Sequence, residues 1–179
     1  NGNLTVLDVQ LVPFSVSINV VDNVTGDPVP FAKVKIQNTT TDVEVTTNAG
    51  GLVILTSVAS GGYDITAAQW GYESDCISAA VGTQGSFTLS LDPGLYDDFT
   101  FDFGWTTFSS ASSGAWVREE PIGTVFSATP ANPEVDVIND CSDRAFVTGN
   151  GGGSANFDDV DDGTVTLTSP TLDLTGYTD

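Results

Sequence analysis

The stretch Phe14-Ser-Val-Ser-Ile-Asn-Val-Val-Asp22 decides the fold class, because apolar and polar side chains alternate along most of it. Alternation with a period of two residues is typical of a β-strand that buries one face. Comparable segments recur about every ten residues, separated by turns that contain Asn, Asp or Gly. They are Val34–Ile36, Val43–Val45, the apolar run Leu52-Val-Ile-Leu55, which we expect to be buried, Tyr63–Ala67, Ile77–Val81 and Phe87–Leu91. Seven segments without helical periodicity predict an all-β protein that contains, over residues 14–92, a seven-stranded β-sandwich.

Four motifs within this region resemble one known family. They are VSINVVDNVTGDPVPFAKVKI (16–36), TTNAG (46–50), GGYDI (61–65) and WGY (70–72). Together they are similar to the carboxypeptidase regulatory-like (transthyretin-like) domain, and the resemblance implies a transthyretin/Ig-like sandwich. Asn48 stands where the family more often has Asp, and either residue serves an Asx turn. The family is a structural accessory module, so the resemblance implies a fold far more than a function.

The composition changes after Asp92-Pro-Gly94 towards aromatic residues, Gly and Asp. Five motifs follow in order: FTFDFGW (99–105), GAWVR (114–118), ANP (131–133), AFVTGN (145–150) and TLTSP (166–170). In that order they resemble the first part of a MAM-like jelly roll, as found in secreted surface proteins of Bacteroidota-type bacteria and after zinc carboxypeptidases. A jelly roll needs about eight strands, whereas the residues after Asp97 suggest four or five. We therefore expect residues 97–179 to be a jelly roll that is incomplete at its C-terminus, either as a fragment or through completion by a partner.

The run Asp-Asp-Val-Asp-Asp-Gly at 158–163 suggests a cation site. The chain has 24 Asp and Glu against four Lys and Arg and no His, so a bound cation is a better neutraliser than a basic side chain. Oxygen-only ligands suit Ca²⁺. The run does not fit an EF-hand loop, and the resemblance to MAM-like proteins implies Asp98, Asp159 and Asp161 as ligands, with Asp136 as a weaker addition. The alternative is a solvated acidic loop, since Asp and Gly are common in loops.

Charge and cysteine content bear on location and partners. The formal charge of −20 argues against binding to nucleic acid and to anionic membrane surfaces, both of which favour Lys and Arg. No apolar run approaches the ~20 residues of a membrane span.

Cys76 and Cys141 are too far apart for a CxxC motif. A disulfide and two free thiols are both compatible with this spacing, and an acidic secreted chain favours the disulfide. These features predict a secreted or extracellular cell-surface protein.

The residue inventory favours a non-catalytic role. Without His, serine or cysteine hydrolase chemistry lacks its usual base, and hydrolytic zinc sites lose their usual ligand. Glu119, Glu120 and Glu134 are candidates for a glycosidase carboxylate pair, a minor alternative. We expect an accessory or adhesion region, with a neighbouring domain of the same parent chain or surface-complex subunits as partners, and the resemblance adds a zinc carboxypeptidase as a possible parent.

Two other functions stay open. In the first, the chain is a subunit of a surface filament or complex assembled by strand donation, with the apolar segment Leu4–Leu11, in the predicted strand or linker 1–13, as a donor. In the second, it is a carbohydrate-binding module with a sugar-stacking face drawn from Trp70, Trp105, Trp116, Tyr72 and Tyr96. Tryptophans at strand starts are more often core residues of sandwiches, which favours a core position for Trp105 and Trp116 and leaves Trp70 the better candidate.

Overall fold

The computed structural model describes residues 13–157 and 159–175. This part of the chain is all-β, as predicted, with one short 3-10 helix at Ala155–Phe157. The strands are β1 (Phe14–Asp22), β2 (Lys33–Gln37), β3 (Asp42–Thr46), β4 (Leu52–Val58), β5 (Gly61–Ala68), β6 (Asp75–Val81), β7 (Ser86–Leu91), β8 (Thr106–Ser109), β9 (Trp116–Glu119), β10 (Thr124–Phe126), β11 (Thr129–Asn132), β12 (Ala145–Thr148), β13 (Gly153–Ser154) and β14 (Val165–Thr168). The predicted segment Leu4–Leu11 lies outside the described residues.

The chain divides into two compact units. Among the described residues, the first contains 13–67 together with 75–91, and the second contains 68–74 together with 92–157 and 159–175. The division after Leu91 lies beside the turn at Asp92, where the composition changes. Residues 68–74, which the sequence pattern groups with the first sandwich, belong to the second unit, and this brings Trp70 into it.

The first unit consists of two sheets, with strand orders β4-β1-β7 and β3-β2-β5-β6. Strand β1 pairs antiparallel with β4 and parallel with β7. All seven strands predicted from the alternating pattern are present. The two sheets form the seven-stranded sandwich expected for this region.

The core of the first unit follows the period-two pattern of its strands. Along β1, β2 and β7 the buried side chains come from alternate positions, so that the intervening residues face outward, whereas β5 is buried at every position from Ile65 to Ala68. Most of the apolar core residues of this unit lie on these four strands. They are Val16, Ile18 and Val20 of β1, Val34 and Ile36 of β2, Tyr63, Ile65 and Ala67 of β5, and Phe87, Leu89 and Leu91 of β7.

The apolar run Leu52-Val-Ile-Leu55 is less buried than its composition suggests. It lies in β4, an edge strand of its sheet, and Ile54 is 58% exposed. The expectation that this run is buried is therefore wrong. Edge strands are covered on one side only by a neighbouring strand, and a run of apolar letters does not reveal which strand will lie at an edge.

A turn at Asn48 connects β3 to β4. The Asn48 side-chain oxygen accepts hydrogen bonds from the backbone N–H of Gly50, at 2.8 Å, and of Leu52, at 3.2 Å. This is the Asx-type turn expected at Asn48. Gly51 completes it with φ of +68°, and a Cβ there would lie 2.5 Å from the carbonyl oxygen of Val20.

The second unit contains seven short strands, of two to four residues each, in three small sheets among its described residues. Strand β8 pairs with β14, β9 pairs with β12, and β10 lies between β11 and β13. The sequence predicts only four or five strands here, which is too few. Strands this short show at most two alternations, too little for a periodic signal. Phe101 is 1% exposed and is the largest fully buried side chain of the unit.

Candidate functional site

A cleft lined by aromatic side chains lies in the second unit. Its volume is about 280 Å³, and we call it the aromatic cleft. Its lining residues come from three segments of the unit: Trp70 and Gly71; Leu95, Tyr96, Asp97, Phe99 and Trp105; and Ser169 and Leu172. Residues far apart in the sequence thus converge on one concave surface, the usual form of a small-molecule site.

Trp70 and Trp105 form the aromatic centre of this cleft. Their rings meet edge to face, with centroids 6.5 Å apart and an interplanar angle of 81°. The Trp70 Nε1 donates a 3.0 Å hydrogen bond to the carbonyl oxygen of Thr171. Both rings are half-buried. One part of each ring packs against the protein, and the other part is accessible to solvent.

Asp97 is the carboxylate of the cleft and is held by two donors. The Trp105 Nε1 donates to its Oδ2 at 2.8 Å, and the backbone N–H of Phe99 donates to its Oδ1 at 2.9 Å. Burial raises the pKa of Asp97 above its ordinary value, and the two hydrogen bonds oppose that shift without cancelling it. Each carboxylate oxygen has a second lone pair, so Asp97 can still accept a hydrogen bond from a ligand hydroxyl.

Contacts between aromatic rings support the lining of the cleft. Phe99 packs edge to face against Trp105, with centroids 5.5 Å apart, and against Phe146, at 5.3 Å. Phe103 contacts Trp70 at a centroid distance of 6.0 Å. Such pairs each contribute about 0.5–1.5 kcal/mol beyond their buried area. The cleft walls are therefore held in place before a ligand arrives.

Tyr96 forms the outer rim of the cleft and is 46% exposed. Its hydroxyl donates a 3.0 Å hydrogen bond to Oδ2 of Asp140. Burial of the phenol, followed by the hydrogen bond and charge of Asp140, raises the pKa of Tyr96 to about 12. The hydroxyl stays protonated at neutral pH and keeps its ring in place at the rim.

The structure brings together part of the predicted sugar-stacking face. Trp70, Trp105 and Tyr96 line the cleft, whereas Trp116 lines a different groove and Tyr72 forms an isolated β-bridge with Pro93. The sequence pattern favours a core position for Trp105 and Trp116, and both are half-buried in the structure.

Asp97, Leu95 and Leu172 are lining residues that the sequence pattern missed. Leu95 and Asp97 directly precede the aromatic motif 99–105, and that proximity is the signal that could have identified them. Leu172 has no such signal, because it reaches the cleft from the end of the unit.

The four predicted calcium ligands lie in two different environments. Asp98 is buried, and its carboxylate accepts hydrogen bonds from the Ser74 hydroxyl and the Thr100 N–H. Asp98 is also one of the negative charges that raise the pKa of Asp136. Asp159 and Asp161 are exposed instead, and the Ser113 hydroxyl lies within hydrogen-bonding distance of the backbone carbonyl oxygen of Asp159 and of Oδ2 of Asp161.

Across residues 13–157 and 159–175, no three His, Cys, Asp or Glu side chains are arranged so that they could hold a metal ion. The structure does not bring Asp98, Asp136, Asp159 and Asp161 together as one site. Calcium binding by this chain stays a prediction. Asp158, the first residue of the acidic run, lies outside the described residues.

The glutamates considered for glycosidase chemistry have structural partners. Glu134 accepts a hydrogen bond from the Gly123 N–H, and Glu119 accepts one from the Asn150 side chain. Asn150 also donates to the carbonyl oxygen of Glu120. These contacts hold the loop between β9 and β10.

Both cysteines, Cys76 and Cys141, are disulfide-bonded, so the structure has the bridge that the acidic composition favours. No helix in the described part of the chain is long and apolar enough to cross a membrane. The disulfide is compatible with an extracellular protein.

Eleven chains of solved structures match this chain, and two of these distant likenesses have the following values. The Klebsiella pneumoniae 5-hydroxyisourate hydrolase is 19% identical with a TM-score of 0.36, and the match covers 46% of this chain and 94% of that one. The Bacillus anthracis TIE protein is 17% identical with a TM-score of 0.36, and the match covers 79% of this chain and 32% of that one. The chain matches no protein-family model, and no curated protein matches it. At these values neither likeness carries an argument about function.

Proposed function

We propose that this chain is a non-catalytic accessory region of a secreted or cell-surface protein, and that it binds carbohydrate in the aromatic cleft. The observation that carries this proposal is the convergence of Trp70, Trp105 and Tyr96 with Asp97 on one small concave surface. Aromatic faces cover the apolar C–H faces of a sugar ring, and a carboxylate accepts hydrogen bonds from its hydroxyl groups.

The size and charge of the cleft narrow the ligand. A volume of about 280 Å³ is at the small end of ligand pockets, which favours one terminal sugar residue over an internal stretch of a long chain. Asp97 and the formal charge of −20 disfavour anionic sugars. A neutral sugar with adjacent hydroxyl groups is the class that fits best.

The resemblances extend this proposal to domain identity. The two-sheet arrangement of the first unit supports the assignment as a carboxypeptidase regulatory-like domain, and we assign the second unit to the MAM-like class on its motifs. Such a pair would space or dock a neighbouring domain of the parent chain, and a zinc carboxypeptidase is the parent that the resemblance favours.

A glycan array tests the carbohydrate proposal. The chain should bind glycans that end in neutral hexose or pentose residues, and the free sugar should compete. Trp70→Ala should abolish this binding, whereas Trp116→Phe, which alters a tryptophan outside the cleft, should preserve it. Absence of binding across the array, or equal binding by Trp70→Ala, would remove the proposal.

A further inference from the structure

A second groove in the same unit follows one edge of strand β12. Its volume is about 590 Å³, and all four residues of the strand, Ala145–Thr148, line it. Successive side chains of a strand point to opposite faces of the sheet. A groove lined by four consecutive residues therefore runs along the backbone edge of the strand, and we call it the β12 groove.

That edge of β12 is open. Within the described part of the chain, the only strand hydrogen-bonded to β12 is β9, in a two-stranded sheet that runs from the pair Ala145–Glu119 to the pair Thr148–Trp116. A strand with one neighbour presents unpaired N–H and C=O groups along its other side, and those groups can pair with an additional strand.

The other walls of the β12 groove are largely apolar. Val135 is 57% exposed and Val137 is 64% exposed, and Ile122 and Pro133 lie beside them. Apolar side chains gathered in one groove beside an open strand edge suit a partner that brings its own apolar side chains.

The indole N–H of Trp116 indicates that an occupant of the groove should offer a hydrogen-bond acceptor. The Trp116 ring lines the groove, and its Nε1 is buried without a hydrogen-bond partner among the described residues. A buried donor left without an acceptor costs about 1–3 kcal/mol. Because this nitrogen is closed to solvent, a backbone carbonyl of an added chain would satisfy it only after the Trp116 ring turns towards the groove.

The carboxylate of Asp136 indicates which charge an occupant of the groove should carry. Asp136 lines the groove, and none of the ion pairs among the described residues includes it. Burial, followed by the negative charges of Asp140, Asp98 and Asp143, raises the pKa of Asp136. A positive charge beside Asp136 would offset both the cost of burying its carboxylate and the repulsion from the neighbouring carboxylates.

The four basic side chains of this chain all have partners other than Asp136. Lys33 pairs with Glu44, Lys35 with Asp42, and Arg144 with Asp143. Arg118 donates to the carbonyl oxygen of Phe99. The segment Leu4–Leu11 contains an Asp and no Lys or Arg. The missing charge is therefore better supplied by another protein than by this chain or a second copy of it.

We propose that the β12 groove binds an extended strand of a partner protein that pairs with the open edge of β12, buries alternate apolar side chains and places a Lys or Arg at Asp136. Main-chain hydrogen bonds give affinity in this mode of recognition, and side-chain pockets give specificity. The proposal does not depend on carbohydrate binding in the aromatic cleft.

A displayed library of random twelve-residue peptides provides the test. Selection on the intact chain should enrich peptides with alternating β-branched or aromatic residues and one Lys or Arg, without Pro. Enriched peptides should slow amide hydrogen exchange at Ala145–Thr148, and N-methylation of alternate peptide amides should remove that protection.

Charge exchange tests the role of Asp136. Asp136→Lys should weaken the selected peptide at least tenfold, and replacing the peptide's Lys or Arg by Glu should restore binding to this variant. Val137→Lys should also weaken binding, whereas Ile54→Lys, at an exposed apolar position of the first unit, should not.

Three results would overturn the proposal. The first is a selection without enrichment, or with equal enrichment on Val137→Lys. The second is protection of Ala145–Thr148 in the free chain that disappears when residues 1–12 are deleted, which would make that segment the occupant. The third is concentration-dependent dimerisation that protects the same amides, which would make a second copy the occupant.

Discussion

The Trp105 Nε1 donates a 2.8 Å hydrogen bond to Oδ2 of Asp97. This bond fixes the orientation of the indole ring and keeps a half-buried carboxylate satisfied in the same cleft. The Trp105 ring is then packed by Phe99 and Phe146. Ring position and carboxylate position are therefore set together, as a preorganised binding site requires.

Asp97 should make stability depend on pH in a defined direction. Burial raises its pKa in the folded state above the ordinary value of 3.8. A raised pKa means that the folded state binds the proton more tightly than the unfolded state. The contribution of Asp97 to stability is fully present below pH 3.8 and is lost as pH rises through the folded-state pKa.

Urea unfolding of the wild type and Asp97→Asn between pH 3 and 7 measures this effect. The substitution adds a constant offset because it changes the hydrogen bonds, so the informative quantity is the slope. The wild type should lose stability relative to Asp97→Asn as pH rises through this window. A flat difference, or a slope of opposite sign, would contradict the raised pKa.

Gly51 should be the least replaceable residue of the β3–β4 turn. Its φ is +68°, and an added Cβ would meet the Val20 carbonyl oxygen at 2.5 Å. We expect Gly51→Ala to lower the free energy of unfolding by about 1–3 kcal/mol, through left-handed strain and this clash. Gly50→Ala is the matched control, since Gly50 has an ordinary φ and its nearest neighbour is the Asn48 side chain. Equal losses in the two variants would show that the turn tolerates a side chain at Gly51.

Asp98 and Asp159 should differ in their effect on stability. Asp98→Ala removes an acceptor from the Ser74 hydroxyl and the Thr100 N–H in a buried position, and should cost about 1–3 kcal/mol. Asp159→Ala should stay within about 0.5 kcal/mol, because this side chain is exposed and its carbonyl oxygen, not its carboxylate, accepts from Ser113. Thermal melts in excess calcium and in EGTA complete the test. A calcium-dependent rise in Tm that either substitution abolishes would restore the predicted calcium site.

Reduction of the disulfide should destabilise the chain. Both cysteines are disulfide-bonded, and Cys76 and Cys141 are 65 positions apart in the sequence. In the chain-entropy account, closing a loop of this length contributes about 4 kcal/mol. Urea unfolding of the wild type in the presence and absence of a reducing agent measures the loss, and the variant with both cysteines replaced by Ser should match the reduced protein. No loss on reduction would mean that the bridge does not constrain the unfolded chain.

The predictability of the two units differs for a physical reason. Strands β1 and β2 can be predicted from the sequence, because their apolar residues alternate with polar ones over a stretch long enough to recognise. These apolar residues are Val16, Ile18, Val34 and Ile36. Strands β8–β14 are too short for that pattern, and except in the pair β10–β11 their partners are far away in the chain, as in the pairing of Leu167 with Thr107.

The candidate site was only partly predictable. Residue type alone makes Trp70, Trp105 and Tyr96 candidates for a sugar-stacking face, although the pattern favours a core position for Trp105. Their convergence with Leu172 depends on how 68–74 and the residues up to 175 pack within the second unit, and no local pattern encodes that packing. The predicted calcium set failed to converge for the same reason, since a run of acidic residues does not define the positions of distant ligands.

Tryptophan fluorescence in the Trp116→Phe variant tests carbohydrate binding in the cleft most directly. The chain has three tryptophans, and this substitution leaves Trp70 and Trp105, both of which line the cleft. Titration with the glycan selected on the array should produce a saturable change in emission, and Asp97→Asn in the same background should weaken the apparent affinity. Binding that leaves this emission unchanged, or no binding by any glycan tested, would contradict the account.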